Sequence, residues 1–494
     1  MAKINAILIH DLDGRKRWDV YIEHLGEILS QKKAAIIILP DIDYVARVQE
    51  KLKDKFSVPI SVLYRKVPNE LQEWEKARSG EVSIVIGTRS AVFAPLKDLG
   101  LIIIDEEEQS VYKQDQVPHY HAREIALMRS ELEGVKVILG SVSPSLESFA
   151  LAKAGKMQYQ QLPRAKDLPE IRVIDMKFER RFKKDKKIIF SKFLMDSILT
   201  SLNAKEKILL FLNRKGFATF AFCHNCGKVM RCPRCNVNLV YHYKESQLTC
   251  HFCSFKMKLP EICPECSAGY IKFSGTGTEK IESELSRLFP QARIKDVGSH
   301  QHIDINEADI FVATSAVLKQ ENLRFDLTGI LGIDNSLNRV DFRSTEKAFA
   351  MMSGLLGLTD KKFLIQTGSP AYSCFQALQK KNVAAFYEDE LKQRKQLKFP
   401  PYKHFIFVKV RSVKEEKAHD CASALFEKLN NNNKGKGIKI LSLSPAQHPK
   451  LRGKFYWQIL LCTNDPVKAN KFLKLNLKDF RHSGIIITVD VDPV

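Results

Sequence analysis

Eight of the chain's eleven cysteines fall between Cys223 and Cys266, in four C-x-x-C pairs: Cys223/Cys226, Cys232/Cys235, Cys250/Cys253 and Cys263/Cys266. Two residues between cysteines let both sulfurs reach one tetrahedral ion on a tight knuckle, and zinc takes four such thiolates at about 2.3 Å. Eight cysteines therefore make two complete sites with none left over. In a cytosolic chain such pairs bind metal rather than form disulfides. All-cysteine sites leave no open position for water, so these ions are expected to be structural. The spacing alone leaves open which pairs share an ion. Lys228, Arg231, Arg234 and Lys244 lie among the cysteines, with Phe222, Tyr241, Tyr243, His251 and Phe252. Such residues on a rigid knuckle can hold a nucleic-acid strand by charge and stacking, or simply pack around a small metal core. Cys374, Cys421 and Cys462 are scattered and read as core thiols.

Around this block the chain reads as α/β. The apolar runs Ala6–His10, Ala34–Pro40, Ile60–Tyr64, Val82–Gly87, Leu101–Asp105 and Val135–Gly140 are rich in Ile and Val. Such runs are strands of a parallel sheet buried on both faces, with helices over Trp18–Ser30 and Tyr44–Lys55 between them. A second unit has strands at Lys207–Leu212, Ala308–Thr314, Ile330–Asp334 and Lys362–Gly368, and the cysteine block interrupts it after the first. Phe399-Pro400-Pro401 makes a rigid break. Beyond it come strand 404–411, helix 415–430, strand 438–444, strand 455–462, helix 467–479 and strand 485–491, with Asn431–Gly437 as a loop. That β-α-β-β-α-β order predicts a ferredoxin-like sandwich.

Charge narrows the partners. Lys and Arg outnumber Asp and Glu by 78 to 57, a net charge of +21, which favours a polyanion such as nucleic acid. The densest run is Lys177, Arg180, Arg181, Lys183, Lys184, Lys186 and Lys187; a solvated loop would look the same. No apolar run of about 18 residues occurs, and the N-terminus lacks the pattern of a signal peptide. The expectation is a cytoplasmic protein with no membrane partner.

The chain resembles the PriA family of primosomal, replication-restart helicases. The strings that carry the resemblance begin with Ile86-Gly87-Thr88-Arg89-Ser90-Ala91-Val92-Phe93-Ala94-Pro95 and Leu99-Gly100-Leu101-Ile102-Ile103-Ile104-Asp105-Glu106-Glu107. Tyr112-Lys113-Gln114 and Pro118-His119-Tyr120-His121-Ala122-Arg123 match the family's aromatic-rich loop. Asn213-Arg214-Lys215-Gly216-Phe217 precedes the cysteines and Gly275-Thr276-Gly277-Thr278-Glu279 follows them. Asp341-Phe342-Arg343, Phe399-Pro400-Pro401 and Asp490-Val491-Asp492-Pro493 complete the series. The resemblance implies two RecA-like helicase lobes and an interleaved zinc pairing. Cys223, Cys226, Cys263 and Cys266 would hold one ion, and Cys232, Cys235, Cys250 and Cys253 the other. It also implies that the family's N-terminal module for a nascent 3′ end and its winged helix are missing here or supplied by another chain.

The ATP motifs depart from the family. Its phosphate loop, G-x-x-G-x-G-K-T, aligns with Asp11, Gly14, Lys16, Arg17 and Trp18, keeping one glycine of three. Such a loop wraps phosphate with backbone N–H groups and needs Ser or Thr for Mg²⁺; Trp18 cannot serve, and Asp11 adds negative charge. Asp105 and Glu106 match the metal-linked acid and the base, but the usual final His is Glu108. Gly140-Ser141-Val142-Ser143-Pro144-Ser145 stands for G-S-A-T-P-S, and Ala313-Thr314-Ser315-Ala316 for G-T-Q-M. The two arginines of the last motif become Leu358 and Lys361. Such an arginine typically contributes roughly 10³–10⁵ in rate.

These readings set the expectations. The domains are lobe 1 over 1–165, lobe 2 over 166–221 and 269–395, a two-zinc insertion over 222–268, and a ferredoxin-like α+β domain over 396–494. The cofactors are two zinc ions, with ATP not used and no catalytic residue; Asp105 and Glu106 persist as structural acids. The function is replication restart without a motor, on forked or single-stranded DNA, with Lys183, Lys184, Lys186, Lys187, Arg231 and Arg234 on the nucleic acid. The resemblance implies primosome proteins, the replicative helicase and single-stranded-DNA-binding protein as partners, the last near Lys454 and Gln458. The rival readings are a weakly active 3′→5′ helicase and a zinc-bearing protein that binds protein or RNA.

Overall fold

The computed structural model describes residues 4–493 except 15, 66, 165–166, 182–187, 214–219, 224–227, 235–238, 243–246, 251–254, 270, 275–277, 298–302, 321–322, 338–340, 434–436, 479 and 481. Near-continuous β-branched runs do form a parallel sheet buried on both faces. In chain order the first unit is β1 (Ala6–Asp11), α1 (Arg17–Ser30), β2 (Ala34–Ile38), α2 (Ile42–Lys53), β3 (Ile60–Leu63), α3 (Glu70–Ser79), β4 (Ile84–Gly87), β5 (Leu99–Asp105), α4 (Ala122–Glu133), β6 (Lys136–Ser141), α5 (Leu146–Lys153) and β7 (Gln158–Leu162). The sheet order is β3-β4-β2-β5-β6-β1-β7. Alternation along each strand divides the core: Ile36, Ile38, Ile102 and Ile104 enter one layer, and Ile37, Leu101 and Ile103 the other.

The second lobe opens with β8 (Glu170–Asp175), α6 (Met176–Arg181), α7 (Lys192–Asn203) and β9 (Ile208–Leu212). The cysteine insertion follows as β10 (Phe220–Cys223), β11 (Val240–His242), β12 (Gln247–Thr249), β13 (Lys256–Lys258) and β14 (Ile271–Ser274), an antiparallel sheet ordered β13-β12-β11-β10-β14. The lobe resumes with α8 (Thr278–Leu288), β15 (Ile294–Val297), β16 (Ile310–Ala313), β17 (Phe325–Leu331), α9 (Asp334–Leu337), α10 (Ser344–Gly357), β18 (Thr359–Thr367), α11 (Ser373–Gln379) and α12 (Val383–Leu397). Its parallel sheet is ordered β15-β16-β9-β17-β18-β8.

The strand expected at Ile330–Asp334 is instead β17, which starts five residues earlier and ends at Leu331. Gly332, at φ +69°, ends it, and Asp334 turns back to accept Gly368 N–H at 2.7 Å. Polar β7, together with β8 and β15, was not legible as strand. These lie at sheet edges, where one side needs no apolar cover.

The last unit is β19 (His404–Ser412), α13 (Glu415–Asn432), β20 (Lys439–Leu451), β21 (Lys454–Thr463), α14 (Pro466–Leu477) and β22 (Ile485–Val491). The antiparallel order β20-β21-β19-β22, with α13 and α14 packed on Ile406, Val408 and Val410, is a ferredoxin-like sandwich. Helix α13 runs two residues into the expected Asn431–Gly437 loop, where Asn432 Nδ2 donates to Asn476 Oδ1 on α14 at 2.7 Å. No helix among the described residues is long and apolar enough to cross a membrane.

Candidate functional site

In open parallel sheets, ligands bind outside the carboxyl ends of the strands. Here β1 ends at Asp11 and β5 at Asp105, on either side of β6. Asp11 is fully buried. Its Oδ2 accepts the backbone N–H groups of Lys16 at 2.8 Å and Arg17 at 2.9 Å, and its Oδ1 accepts that of Asp13 at 3.3 Å. The carboxylate thus caps α1, whose N-cap Lys16 supplies no side-chain cap of its own. Gly14, at φ +73°, lets the loop turn beneath it.

Arg17 follows directly and is only 4% exposed. Its Nε and Nη2 donate to the two oxygens of Asp105 at 2.5 and 3.2 Å, and its Nη1 donates to Gly14 O at 2.9 Å. Tyr21 and Tyr44 hydroxyls donate to the same carboxylate at 3.0 and 2.8 Å, and Trp18 Nε1 donates to the Tyr44 hydroxyl at 2.8 Å. Tyr21 reaches Asp105 by passing over Gly140, where a Cβ would lie 1.5 Å from its hydroxyl. Burial opposes the charge on Arg17, yet Asp105 beside it holds the guanidinium above its ordinary pKa. Burial and the Asp105 charge raise Glu106 to about 7.

The neighbouring acids have separate partners. Glu107 accepts Ser145 N–H at 2.7 Å, Arg123 Nη1 at 2.9 Å, and the hydroxyls of Ser145 and Ser148 at 3.0 and 2.9 Å. Glu108 is pushed well up by burial and by Glu106. Lys16 Nζ donates to Pro163 O at 3.0 Å, just past the carboxyl end of β7. Leu358 packs partly buried on the second-lobe core. Lys361 pairs with Glu206 at 2.6 Å and Asp326 at 3.1 Å.

The two lobes meet at this end. Arg343 Nη1 lies 2.5 Å from Glu147 Oε1, Leu146 N–H donates to Glu346 at 2.9 Å, and the Tyr387 hydroxyl donates to Pro144 O at 3.0 Å. Sequence reasoning assigned no role to Tyr21, Tyr44 or Glu147. For Tyr21 a signal existed: Arg17, Tyr21, Leu25 and Ile28 form the buried face of α1 at helical spacing.

In the insertion, Cys223, Cys263 and Cys266 bring their sulfurs within 4.8 Å of one another. The first cysteine of three pairs donates its backbone N–H five residues ahead: Cys223 to Lys228 O at 2.9 Å, Cys250 to Phe255 O at 2.8 Å, and Cys263 to Ala268 O at 2.8 Å. Cys232 and Cys250 are buried in one cluster with Met230, Leu239 and Leu248. Cys226, Cys235 and Cys253 lie outside the described residues, as do Lys183, Lys184, Lys186 and Lys187. Arg231 and Arg234 are exposed. Arg234 stands 5.6 Å from the Phe255 ring centroid, and its carbonyl accepts Gly453 N–H at 3.1 Å from the β20–β21 turn. Lys454 and Gln458 lie at alternate positions of β21, on the face opposite Trp457 and Ile459, which join the domain core.

Two parallel α/β lobes, a cysteine ribbon inserted in the second and a ferredoxin-like terminal domain define a helicase-like architecture. Residues 232–258 match the PriA DNA helicase Cys-rich region domain, and residues 395–494 match the primosomal protein N C-terminal domain. Three proteins named replication restart protein PriA are similar along nearly the whole chain. That of Chlamydia pneumoniae is 32% identical, over 100% of this chain and 69% of its own. That of Borreliella burgdorferi is 30% identical, over 100% and 77%. For Bacillus subtilis the identity is 31%, over 99% of this chain and 64% of the relative. Among solved structures, RecG bound to a three-way DNA junction aligns over 79% of this chain and 47% of its own, at 13% identity and a TM-score of 0.39. The chain belongs to the PriA replication restart family, and its parallel sheets are that family's RecA-like lobes. It spans under two thirds of the Bacillus subtilis relative.

Proposed function

We propose that this chain serves replication restart as a DNA-binding and partner-recruiting member of the PriA family that has no working motor. The observation that carries the reading is the Arg17–Asp105 pair. A magnesium–nucleotide needs free backbone donors for phosphate and a free carboxylate for the metal or its waters. The donors at Asp13, Lys16 and Arg17 already hold Asp11, and both oxygens of Asp105 are engaged. These residues do not fit that ligand. Asp105 and Glu106 are structural acids in this reading.

Zinc does fit the cysteine ribbon, since Cys223, Cys263 and Cys266 bring their sulfurs within 4.8 Å of one another. Cys223, Cys226, Cys263 and Cys266 hold one ion, and Cys232, Cys235, Cys250 and Cys253 the second. Zinc supplies structural crosslinking and no reaction step. Forked or single-stranded DNA is held through phosphate by Lys183, Lys184, Lys186, Lys187, Arg231 and Arg234. The Lys454–Gln458 face of β21 takes the acidic tail of single-stranded-DNA-binding protein.

Equilibrium binding to forked and plain duplex DNA across a salt series, with ATP turnover measured on the same samples, tests this. Forks are expected to win at physiological salt. Each phosphate contact adds roughly −0.7 to −0.9 to the log–log slope, and neutralising the four lysines flattens it. Turnover is expected to stay at background with DNA present. Equal binding of fork and duplex, or DNA-stimulated hydrolysis, defeats the reading.

A further inference from the structure

The residues that exclude a nucleotide also do positive work, and this inference rests on the non-motor reading above. We propose that Asp11 and Arg17 are a built-in substitute for nucleotide and metal, which fixes Asp13, Lys16 and the start of α2 as the surface on which the second lobe stays closed.

Each charge takes a specific place. The Asp11 carboxylate occupies a nest of three backbone N–H groups at the start of a 14-residue helix, which is where an anion would be held. The Arg17 guanidinium occupies the cation position on the acid of β5. Asp105 accepts four donors in all, from Arg17 Nε and Nη2 and from the Tyr21 and Tyr44 hydroxyls, which matches the roughly four acceptor positions of a carboxylate. Buried charges this well paired need no solvent and no ligand to satisfy them.

The second lobe lands on the elements so fixed. At the last turn of α10, a Cβ on Gly357 would lie 3.5 Å from Asp13 O. Lys319 Nζ lies 3.1 Å from Asp41, the N-cap of α2, and Arg47 on α2 donates to Lys319 O at 3.4 Å. Helix α2 also carries Tyr44, whose hydroxyl sits on Asp105. Both contacts therefore touch parts positioned by the Asp11–Arg17–Asp105 network. Where a ligand draws two lobes together, its release lets them part. A covalently attached substitute cannot be released, so closure becomes permanent.

Hydrogen exchange on the full chain reads the Asp13, Lys16 and Arg17 amides directly. An interlobe distance between probes placed by unnatural amino acids at Glu131 and Lys380 reads closure. The wild-type chain is expected to show the same protection and the same single distance with and without Mg²⁺ and a slowly hydrolysed ATP analogue. Asp11→Asn and Arg17→Met are expected to speed exchange of those amides by about tenfold or more and to broaden the distance. Unchanged protection over Ile36–Ile38 shows that the sheet is intact. If a variant fails to fold, the wild-type comparison still decides. Protection or closure that appears only with the analogue overturns both this inference and the non-motor reading. Variants that fold and stay protected and closed overturn this inference alone.

Discussion

The Lys113 ammonium lies 3.1 Å from the Asp490 carboxylate, so an ion pair joins the loop after β5 to the last strand of the C-terminal domain. Both side chains are under a tenth exposed, and Lys409 reaches the other Asp490 oxygen at 3.2 Å. Breaking a buried pair from one side typically costs about 3–5 kcal/mol, because a charge is left without its partner. Asp490→Asn removes the counter-charge from two ammonium groups, Lys113, which keeps Val491 O, and the partly exposed Lys409, whereas after Lys113→Met the carboxylate keeps Lys409. Urea titration should therefore show the larger loss for Asp490→Asn. Equal losses would mean that Lys409 adds nothing to the pair.

Gly140 is where Tyr21 crosses β6 to reach Asp105. Gly140→Ala places a methyl 1.5 Å from the Tyr21 hydroxyl and 2.7 Å from its ring carbon. Tyr21 is fully buried and cannot swing clear. The expected loss is about 1–3 kcal/mol, the usual cost of overpacking. Adding Tyr21→Phe removes the nearest atom and should recover part of that loss, so a double-mutant cycle is the measurement. Strict additivity would place the clash elsewhere.

His10 is 1% exposed and hydrogen-bonds Tyr159 and Val142 O. Burial lowers its pKa from 6.5 to about 4. The unfolded chain takes up a proton near pH 6.5, while the folded chain does not until about pH 4. Stability is therefore full above the unfolded value and is lost as pH falls through that window. The loss is on the order of 3 kcal/mol by linkage. Denaturation at pH 7 and pH 4.5 should show a smaller pH effect in His10→Gln than in the wild-type chain. The same dependence in both would assign it to other groups.

Metal analysis of protein purified without added zinc is expected to give about two ions per chain. Structural zinc couples to folding, so Cys232→Ser should remove one ion and disorder the ribbon around Met230 and Leu248. The two parallel sheets should keep their thermal transition. One ion in the wild-type chain would refute the eight-cysteine assignment.

The sequence by itself determined the fold class and the kind of site the ribbon makes. Buried strands such as Ala34–Ile38 must be apolar on both faces, and C-x-x-C spacing is a local geometric requirement; both survive in the linear order of residues. It also marked Asp11, Arg17 and Asp105 as altered or retained ATP-motif positions. Their partnership was decided only by the tertiary structure. Arg17 and Asp105 are 88 residues apart and meet because β1, β6 and β5 align in register, with Gly140 leaving room for Tyr21. The pairing of Lys113 with Asp490, and of Glu147 with Arg343, was settled in the same way. A charged residue carries no local record of which distant opposite charge will satisfy it; burial forces a partner, and the packing of whole domains chooses which one.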